Sequence, residues 1–198
     1  MKITSGKIAG AQKCVIYGPE GIGKSTFASK FPNPLFIDTE GSTRHLDVRR
    51  LPDPSSWTML MDEVRHVINN PSLCQTLVID TADWAEKLCM EHIMAVNKWT
   101  SIEAPGYGKG YVVLMEEFGR LLNLLEQVID RGVNIVMTAH AQMRKFEQTD
   151  ELGADDRWEL KLQKKTASMV KEWADLVLFA NYKTMVVKIE DKKYKAQG

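Results

Sequence analysis

The sequence lacks the features that would direct it into or across a membrane. It contains no run of roughly eighteen apolar residues, which is the length that a membrane-spanning helix needs. No apolar segment follows Met1 in the manner of a secretory signal peptide. Its 198 residues are 44% hydrophobic, an ordinary fraction that excludes wholesale disorder. We therefore expect one domain spanning residues 1–198, with no membrane partner.

Cysteine and histidine are scarce. The three cysteines, Cys14, Cys74 and Cys89, are an odd number without CxxC spacing, and the four histidines are scattered along the chain. A structural zinc site needs such ligands in closely spaced pairs. We therefore expect reduced, buried thiols and no structural metal site.

The chain also lacks a net charge, because its 26 basic residues balance 26 acidic ones. The charges are nevertheless unevenly distributed: residues 161–198 carry a net charge of +5, and residues 1–160 carry −5. Neutrality therefore does not exclude a nucleic-acid partner. It predicts weak, salt-sensitive binding that oligomerisation would multiply.

Short apolar runs alternate with amphipathic segments, which predicts an α/β fold with a mostly parallel sheet flanked by helices. The predicted strands are 13–17, 35–38, 76–80, 133–138, 176–180 and 185–189, and the predicted helices are about 23–30, 56–69, 83–99, a long one ending at Gly132, and one near 168–173. We expect the last two strands to pair as an antiparallel edge hairpin. We expect residues 142–165 to form a mobile polar loop, and residues 190–198 to be a flexible tail or the start of a truncated C-terminal segment.

A phosphate-binding motif follows the first predicted strand. Residues Gly18–Ser25 fit the pattern G-x-x-x-x-G-K-[ST], in which main-chain N–H groups cradle phosphates at the start of a helix. An apolar strand before the motif and a helix after it are the context that the motif requires. The predicted ATP-binding residues are Gly18, Pro19, Glu20, Gly21, Ile22, Gly23, Lys24, Ser25 and Thr26.

Two carboxylates are candidates for metal binding and proton transfer. Asp80 ends an apolar strand and is predicted to hold Mg²⁺ together with Ser25. Glu40 follows another strand and would emerge at the same sheet edge, where it could activate the attacking water. Glu40 is considered because Thr81 occupies the position directly after Asp80 where many hydrolytic P-loop enzymes carry glutamate. If Glu40 is not the base, Glu86 is the alternative.

The motifs Gly18–Thr26, Phe36–Glu40 and Val78–Asp80 resemble the ATPase core of RecA-type recombinases. The resemblance implies a RecA-like fold in which Lys24 contacts the phosphates and Glu40 is the catalytic base. It also implies that His140 stands where recombinases carry a glutamine that senses the γ-phosphate.

Three further segments resemble phage-encoded RecA-core ATPases of the Sak-type single-strand annealing group: Asp80–Glu86, Gly106–Tyr111 and Thr138–Ala141. This resemblance implies Mg²⁺-dependent ATP hydrolysis coupled to single-stranded DNA binding in phage recombination or annealing. It further implies a homo-oligomer, either a ring or a filament, a single-strand DNA-binding protein as a partner, and the cytoplasm of a bacterial host as the location.

Two polar segments are candidates for contact with DNA. Tyrosine offers a stacking surface and lysine or arginine offers charge for phosphates, and the resemblance implies that the corresponding loops line a DNA channel. The candidate residues are Tyr107, Lys109, Tyr111, Arg144, Lys145, Lys161, Lys164 and Lys165. The acidic stretch Glu147–Asp156 argues against uniform DNA contact, and a lid or a subunit contact is the alternative role.

Two other functions fit the same motifs. An ATP-driven protein-remodelling or switch module would use the nucleotide site and make no contact with DNA. A small-molecule kinase would need an arginine-rich lid, and residues 141–165 offer only Arg144 and Arg157.

Overall fold

The computed structural model describes residues 3–147, 154–183, 185–189 and 193–197. The strands are β1 (Lys13–Gly18), β2 (Pro34–Asp38), β3 (Arg49–Arg50), β4 (Thr76–Asp80), β5 (Asn134–Glu147), β6 (Ala154–Leu160), β7 (Leu176–Phe179), β8 (Met185–Ile189) and β9 (Lys193–Gln197). The helices are α1 (Lys24–Ala28), α2 (Trp57–Asn69), α3 (Ala82–Asn97), α4 (Lys109–Asp130) and α5 (Lys164–Trp173). None of the helices in these ranges is long and apolar enough to cross a membrane.

A mostly parallel sheet of seven strands occupies the centre, which confirms the predicted fold class. Six strands follow the order β3-β2-β4-β5-β1-β7, and each neighbouring pair is parallel. Strand β6 pairs antiparallel with the second half of β5. The central strands read as continuous apolar runs because side chains on both of their faces are covered, and every residue of β4 is buried.

The two faces of the sheet carry cores of different size. Side chains alternate along a strand, so neighbouring residues such as Cys14 and Val15 enter separate apolar clusters. Helices α2, α3, α4 and α5 pack on the Val15 face and form the larger cluster. The short helix α1 covers the Cys14 face, where the smaller cluster lies.

Helix α4 carries an apolar stripe that faces the larger core cluster. Its residues Leu114, Phe118, Leu121, Leu125 and Val128 are all fully buried. Their i, i+4, i+7 spacing places them on one side of the helix. The ring of Phe118 also stacks on Trp57 of α2, with 5.9 Å between ring centroids, and so ties two helices together.

The prediction of a mobile loop over residues 142–165 was wrong. Strand β5 continues to Glu147 and pairs with β6 from Ala141 opposite Leu160 to Glu147 opposite Ala154; we call this pair, 141–147 with 154–160, the β5–β6 arm. Residues 148–153 lie outside the described residues. The arm is polar along much of its length, so it lacks the apolar alternation by which strands are recognised, and main-chain hydrogen bonds hold its two strands together.

The C-terminal pairing also differs from the prediction. Strand β7 pairs in parallel with β1, whereas β8 forms its antiparallel hairpin with β9 as a separate two-stranded sheet. Strand β9 lies within the residues expected to form a tail; 190–192 and Gly198 fall outside the described residues. An antiparallel hairpin is therefore present near the C-terminus, but it is formed by β8 and β9, whereas the prediction paired the strands that correspond to β7 and β8.

Replacing Phe118 by alanine should test the contribution of the α4 stripe. Loss of this fully buried ring should lower the free energy of unfolding by about 3–5 kcal/mol, because the transfer and cavity costs add. Urea denaturation of both proteins measures the difference. Val96→Ala is the control, since Val96 is mostly exposed on α3 and its truncation should change stability little; equal effects of the two changes would contradict this account of the core.

Candidate nucleotide site

The carboxyl ends of neighbouring strands meet at one edge of the sheet and bring the predicted site residues together. The strand registers place Asp38 beside Asp80 and Gly18 beside His140. A cavity of about 240 Å³ opens at this edge. It is lined by Glu20, Gly21, Gly23, Lys24, Ser25, Thr26, Glu40, Ser42, His45, Asp80, Thr81 and His140.

The phosphate loop needs glycine at two positions for different reasons. Gly23, directly before α1, has φ of 97°, a left-handed conformation that side chains rarely allow. Gly18 lies so close to the neighbouring strand end that a Cβ atom there would stand 2.2 Å from the Ala180 carbonyl oxygen. These constraints close the loop at the start of α1, where helix N–H groups favour an anion.

Lys24 is buried at the first position of α1. Its Nζ donates hydrogen bonds to the carbonyl oxygens of Gly18 at 3.1 Å and Pro19 at 2.8 Å. Burial lowers the pKa of Lys24, although the charges of Asp83 and Asp80 oppose that shift. The loop therefore holds its own lysine where phosphate oxygens could replace these two carbonyls.

Asp80 is fully buried at the end of β4, between Ser25 and Thr138. Its Oδ1 accepts a hydrogen bond from the Thr138 hydroxyl, while its Oδ2 has no hydrogen-bond partner among the described residues. Burial raises the pKa of Asp80, although the nearby hydroxyls of Ser25 and Thr138 counter part of that shift.

These residues fit the predicted Mg²⁺ ion. A buried carboxylate oxygen without a partner is costly unless a ligand satisfies it. Mg²⁺ prefers oxygen donors and takes only one or two from the protein, with the remainder coming from water and phosphates. Ser25 and Asp80 supply such a set, and the ion, when bound, would neutralise charge on the phosphate oxygens.

A tight turn after β2 presents Glu40 to the cavity. The Asp38 carboxylate accepts main-chain N–H groups from Gly41 at 2.7 Å and Thr43 at 2.9 Å, and the Thr43 hydroxyl at 2.6 Å. Burial alone would raise the pKa of Asp38, but these hydrogen bonds lower it below its ordinary value. Asp38 thus serves as the anchor of the turn that carries Glu40.

His140 joins Glu40 to a residue that sequence reasoning did not single out. Asp83 Oδ1 accepts the main-chain N–H of His140 at 2.9 Å, and its Oδ2 lies 2.8 Å from His140 Nδ1. On the other side of the ring, His140 Nε2 lies 3.8 Å from Glu40 Oε1. Asp83, His140 and Glu40 thus form a series of contacts that ends at the cavity.

The pKa shifts of His140 and Glu40 suit the activation of a water molecule beside a phosphate. The hydrogen bond with Asp83 raises the pKa of His140, which favours the imidazolium form. Burial raises the pKa of Glu40, although the neighbouring His140 partly offsets the shift. A carboxylate with raised pKa is a better base, and an imidazolium can donate a hydrogen bond to a phosphate oxygen.

Asp83 had a sequence signal that could have been used. It lies three residues after Asp80 in the first turn of α3, so it stays near the same sheet edge. Glu86, the alternative base, does not line the cavity; its two carboxylate oxygens accept the main-chain N–H of Gln163 at 3.1 and 3.0 Å.

The structure brings together some of the predicted DNA-binding residues between 144 and 165. A basic groove of about 570 Å³ runs between the β5–β6 arm and α5. Its lining residues are Arg144, Lys145, Glu159, Lys164, Ala167, Ser168 and Lys171. Lys161 and Lys165 are exposed beside it but are not among its lining residues.

The first segment, residues 106–111, lies elsewhere in the fold. It lies in the connection between α3 and α4 and in the first turn of α4. Tyr107 is fully exposed and Lys109 begins α4. The hydroxyl of Tyr111 donates to Glu103 Oε1 at 3.2 Å. None of the three lines the nucleotide cavity or the basic groove.

The parallel sheet, the glycine-bounded loop and the buried lysine define a P-loop nucleotide-binding domain. A family model described as an AAA domain matches residues 10–197, and the chain belongs to this family of P-loop ATPases. Membership indicates ATP binding and hydrolysis as the general activity. Among the curated proteins, none matches the chain.

The raised pKa of His140 makes a prediction about stability and pH. The interaction of Asp83 with protonated His140 raises the pKa of this histidine in the folded protein. Its stabilising effect is therefore fully present below the unfolded pKa of about 6.5, and it is lost as the pH rises through the folded pKa. His140→Gln should therefore destabilise the protein more at about pH 6 than at about pH 9. Urea denaturation at both pH values measures this, with His92→Gln on α3 as the control; an equal loss at both would contradict the ion pair.

Proposed function

We propose that the chain binds Mg²⁺–ATP in the cavity at the sheet edge and hydrolyses it with Glu40 as the general base. The observation that carries the proposal is the convergence of Lys24, Asp80 and Glu40 on one cavity at the P-loop. A phosphate chain in the loop would meet the Lys24 ammonium and the N-terminus of α1. Its terminal phosphate would point toward Glu40 and His140.

The chain's own residues would divide the chemistry among them. Glu40 would orient a water molecule and accept its proton as the water attacks the γ-phosphate. Lys24 and the imidazolium of His140 would stabilise the negative charge on the transferred group. Asp38 would hold the Glu40 turn in place, since its carboxylate organises the main chain from Gly41 to Thr43.

We further propose that hydrolysis is coupled to single-stranded DNA in phage recombination or annealing. The basic groove supports this, because it gathers Arg144, Lys145 and Lys164 beside an arm that begins one residue after His140. Lys171 is paired with Glu159 at 2.8 Å and Arg144 donates to the Leu162 carbonyl oxygen, so among the described residues Lys145 and Lys164 are the basic groups of the groove left to meet a polyanion. The resemblance to Sak-type ATPases supports the biological setting and a single-strand DNA-binding protein as a partner.

A homo-oligomer, either a ring or a filament, belongs to the same proposal. Its support is the sheet edge at β7, whose residues Leu176, Val177, Leu178 and Phe179 are 38–49% exposed. An edge strand with apolar side chains on both faces is a surface that proteins usually cover. The same surface also favours the alternative function, an ATP-driven protein-remodelling or switch module that contacts protein rather than DNA.

Glu40→Gln should separate ATP binding from hydrolysis. The amide keeps the shape of the side chain but cannot accept the proton, so turnover should fall at least about a hundredfold. ATP affinity, measured by fluorescence titration, should stay near that of the wild type. Glu91→Gln, an exposed position on α3, is the matched control and should hydrolyse normally; retained turnover in Glu40→Gln would assign the base to another residue.

Charge reversal in the basic groove should test the DNA half of the proposal. Lys145→Glu and Lys164→Glu should each weaken binding of an oligo-dT probe in fluorescence anisotropy. In each variant the slope of log affinity against log salt concentration should also become shallower, by the amount expected for about one lost phosphate contact. Lys30→Glu, an exposed change outside the groove, is the control. Equal affinity in all three variants would favour the protein-remodelling alternative.

A further inference from the structure

A second cavity, of about 580 Å³, lies between helix α2 and the segment that joins β3 to it; we call it the α2 pocket. Its walls include Leu51, Pro52 and Met59 on the apolar side and Asp62, Glu63 and His66 on the polar side. None of these residues lines the nucleotide cavity or the basic groove. The pocket is therefore a separate feature at the β3 edge of the sheet, and its volume is typical of pockets that hold small organic ligands.

Glu63 brings to this pocket a buried carboxyl group that the fold leaves without a partner. The residue is only 8% exposed, and neither Oε1 nor Oε2 has a hydrogen-bond partner among the described residues. Burial raises the pKa of Glu63 to about 7, and the nearby charge of Asp53 adds to the shift. Because a buried carboxyl without partners lowers the stability of a fold, the described packing of α2 does not account for this side chain.

The basic side chains around the pocket are engaged with other acids. Arg44 pairs with Asp53 at 3.5 Å, and Arg65 pairs with Asp62 at 2.7 Å. Neither arginine reaches the Glu63 carboxyl, which has no hydrogen-bond donor in the part of the chain that the structure describes. Three acids thus face two arginines here, and a cation from outside the chain would balance the remaining charge.

Two unpartnered oxygens on one carboxyl suit a guanidinium group best. A guanidinium presents two parallel N–H donors to a carboxylate, and it is more weakly hydrated than an ammonium, so it loses less on entering a partly apolar pocket. Leu51, Pro52 and Met59 offer apolar surface to the aliphatic stem of such a ligand. Protein atoms cover both Glu63 oxygens, so the ligand reaches them after a side-chain rotation, for which the flexible Met59 on the pocket wall is suited.

We propose that the α2 pocket binds an aliphatic guanidinium group, with Glu63 as the carboxylate that receives it. The stem of the ligand would lie against the apolar wall of the pocket, and the guanidinium would satisfy both Glu63 oxygens. The group can belong to a free alkylguanidine or to an arginine side chain of a protein partner, since both present the same chemistry. This site shares no lining residue with the nucleotide cavity, so its test is independent of the proposed ATPase activity.

The probe is n-butylguanidinium, and its binding is followed by NMR chemical-shift titration at about pH 8, where the Glu63 carboxyl is mostly ionised. One bidentate charged contact with apolar support should give a Kd of about 1 mM or lower. The matched probes n-butylammonium and neutral n-butylurea should bind at least about threefold and about tenfold more weakly. A capped Gly-Arg-Gly peptide distinguishes the two sources: tighter binding than the probe assigns the ligand to a protein partner, and weaker binding assigns it to a free guanidine.

Glu63→Gln should lower the affinity for n-butylguanidinium at least about tenfold, because the amide keeps the shape of the side chain without its charge. Glu63→Met should do the same and should also raise the unfolding midpoint of the free protein, since it removes a buried carboxyl without partners. The matched control is Asp62→Asn. It changes an exposed acid of the same pocket that is already paired with Arg65, and it should alter the affinity less than about twofold.

Equal binding of the three probes, or equal weakening by Glu63→Gln and Asp62→Asn, would overturn the proposal, because it would indicate general attraction to an acidic surface. Failure of the wild type to bind both the probe and the peptide would overturn it as well. If neither Glu63 variant folds, the wild type decides the outcome: carbon-13 NMR should give a lower pKa for Glu63 in the presence of n-butylguanidinium, and an unchanged pKa would contradict the site.

Discussion

The structure depends on the parallel register of four strands, β2, β4, β5 and β1, at the carboxyl edge of the sheet. Hydrogen bonding in that register sets Asp38 next to Asp80, and Gly18 next to His140. Neighbouring strands are about 4.8 Å apart, so groups at their ends fall within the span of a phosphate chain. The large core under α2 to α5 keeps these strands aligned, and the site inherits its geometry from that packing.

The carboxylates at this edge have different tasks because their surroundings differ. Asp38 is saturated by hydrogen bonds from its own turn, whereas Asp83 is committed to His140. Asp80 keeps one oxygen without a partner among the described residues, and Glu40 stands at the cavity wall. Lys24 and His140 offset part of this negative charge, and the charge of Mg²⁺ would help a polyphosphate to bind here.

Sequence reasoning reached the elements whose signals are local. The P-loop, the buried strands and the long helix before Gly132 depend on short motifs or regular spacing, and the structure has them. The β5–β6 arm was missed because its strands are polar and are held by their main chains. The role of Asp83 was missed because it arises only when α3 and the end of β5 meet in space, 57 residues apart in the chain.

The proposed function gives these separate observations one meaning. The cavity lies beside His140, and the arm that borders the basic groove begins one residue after it. Under that proposal, the nucleotide and the DNA would bind at neighbouring parts of β5. If the proposed function holds, the neutral overall charge predicts DNA binding that is weak per subunit and is multiplied by assembly.

The most direct test of this account is steady-state ATP hydrolysis by the wild-type protein with Mg²⁺, measured with and without single-stranded DNA. The account predicts Mg²⁺-dependent turnover that single-stranded DNA stimulates. Turnover that is indifferent to DNA, together with no gel shift of the same oligonucleotide, would contradict it.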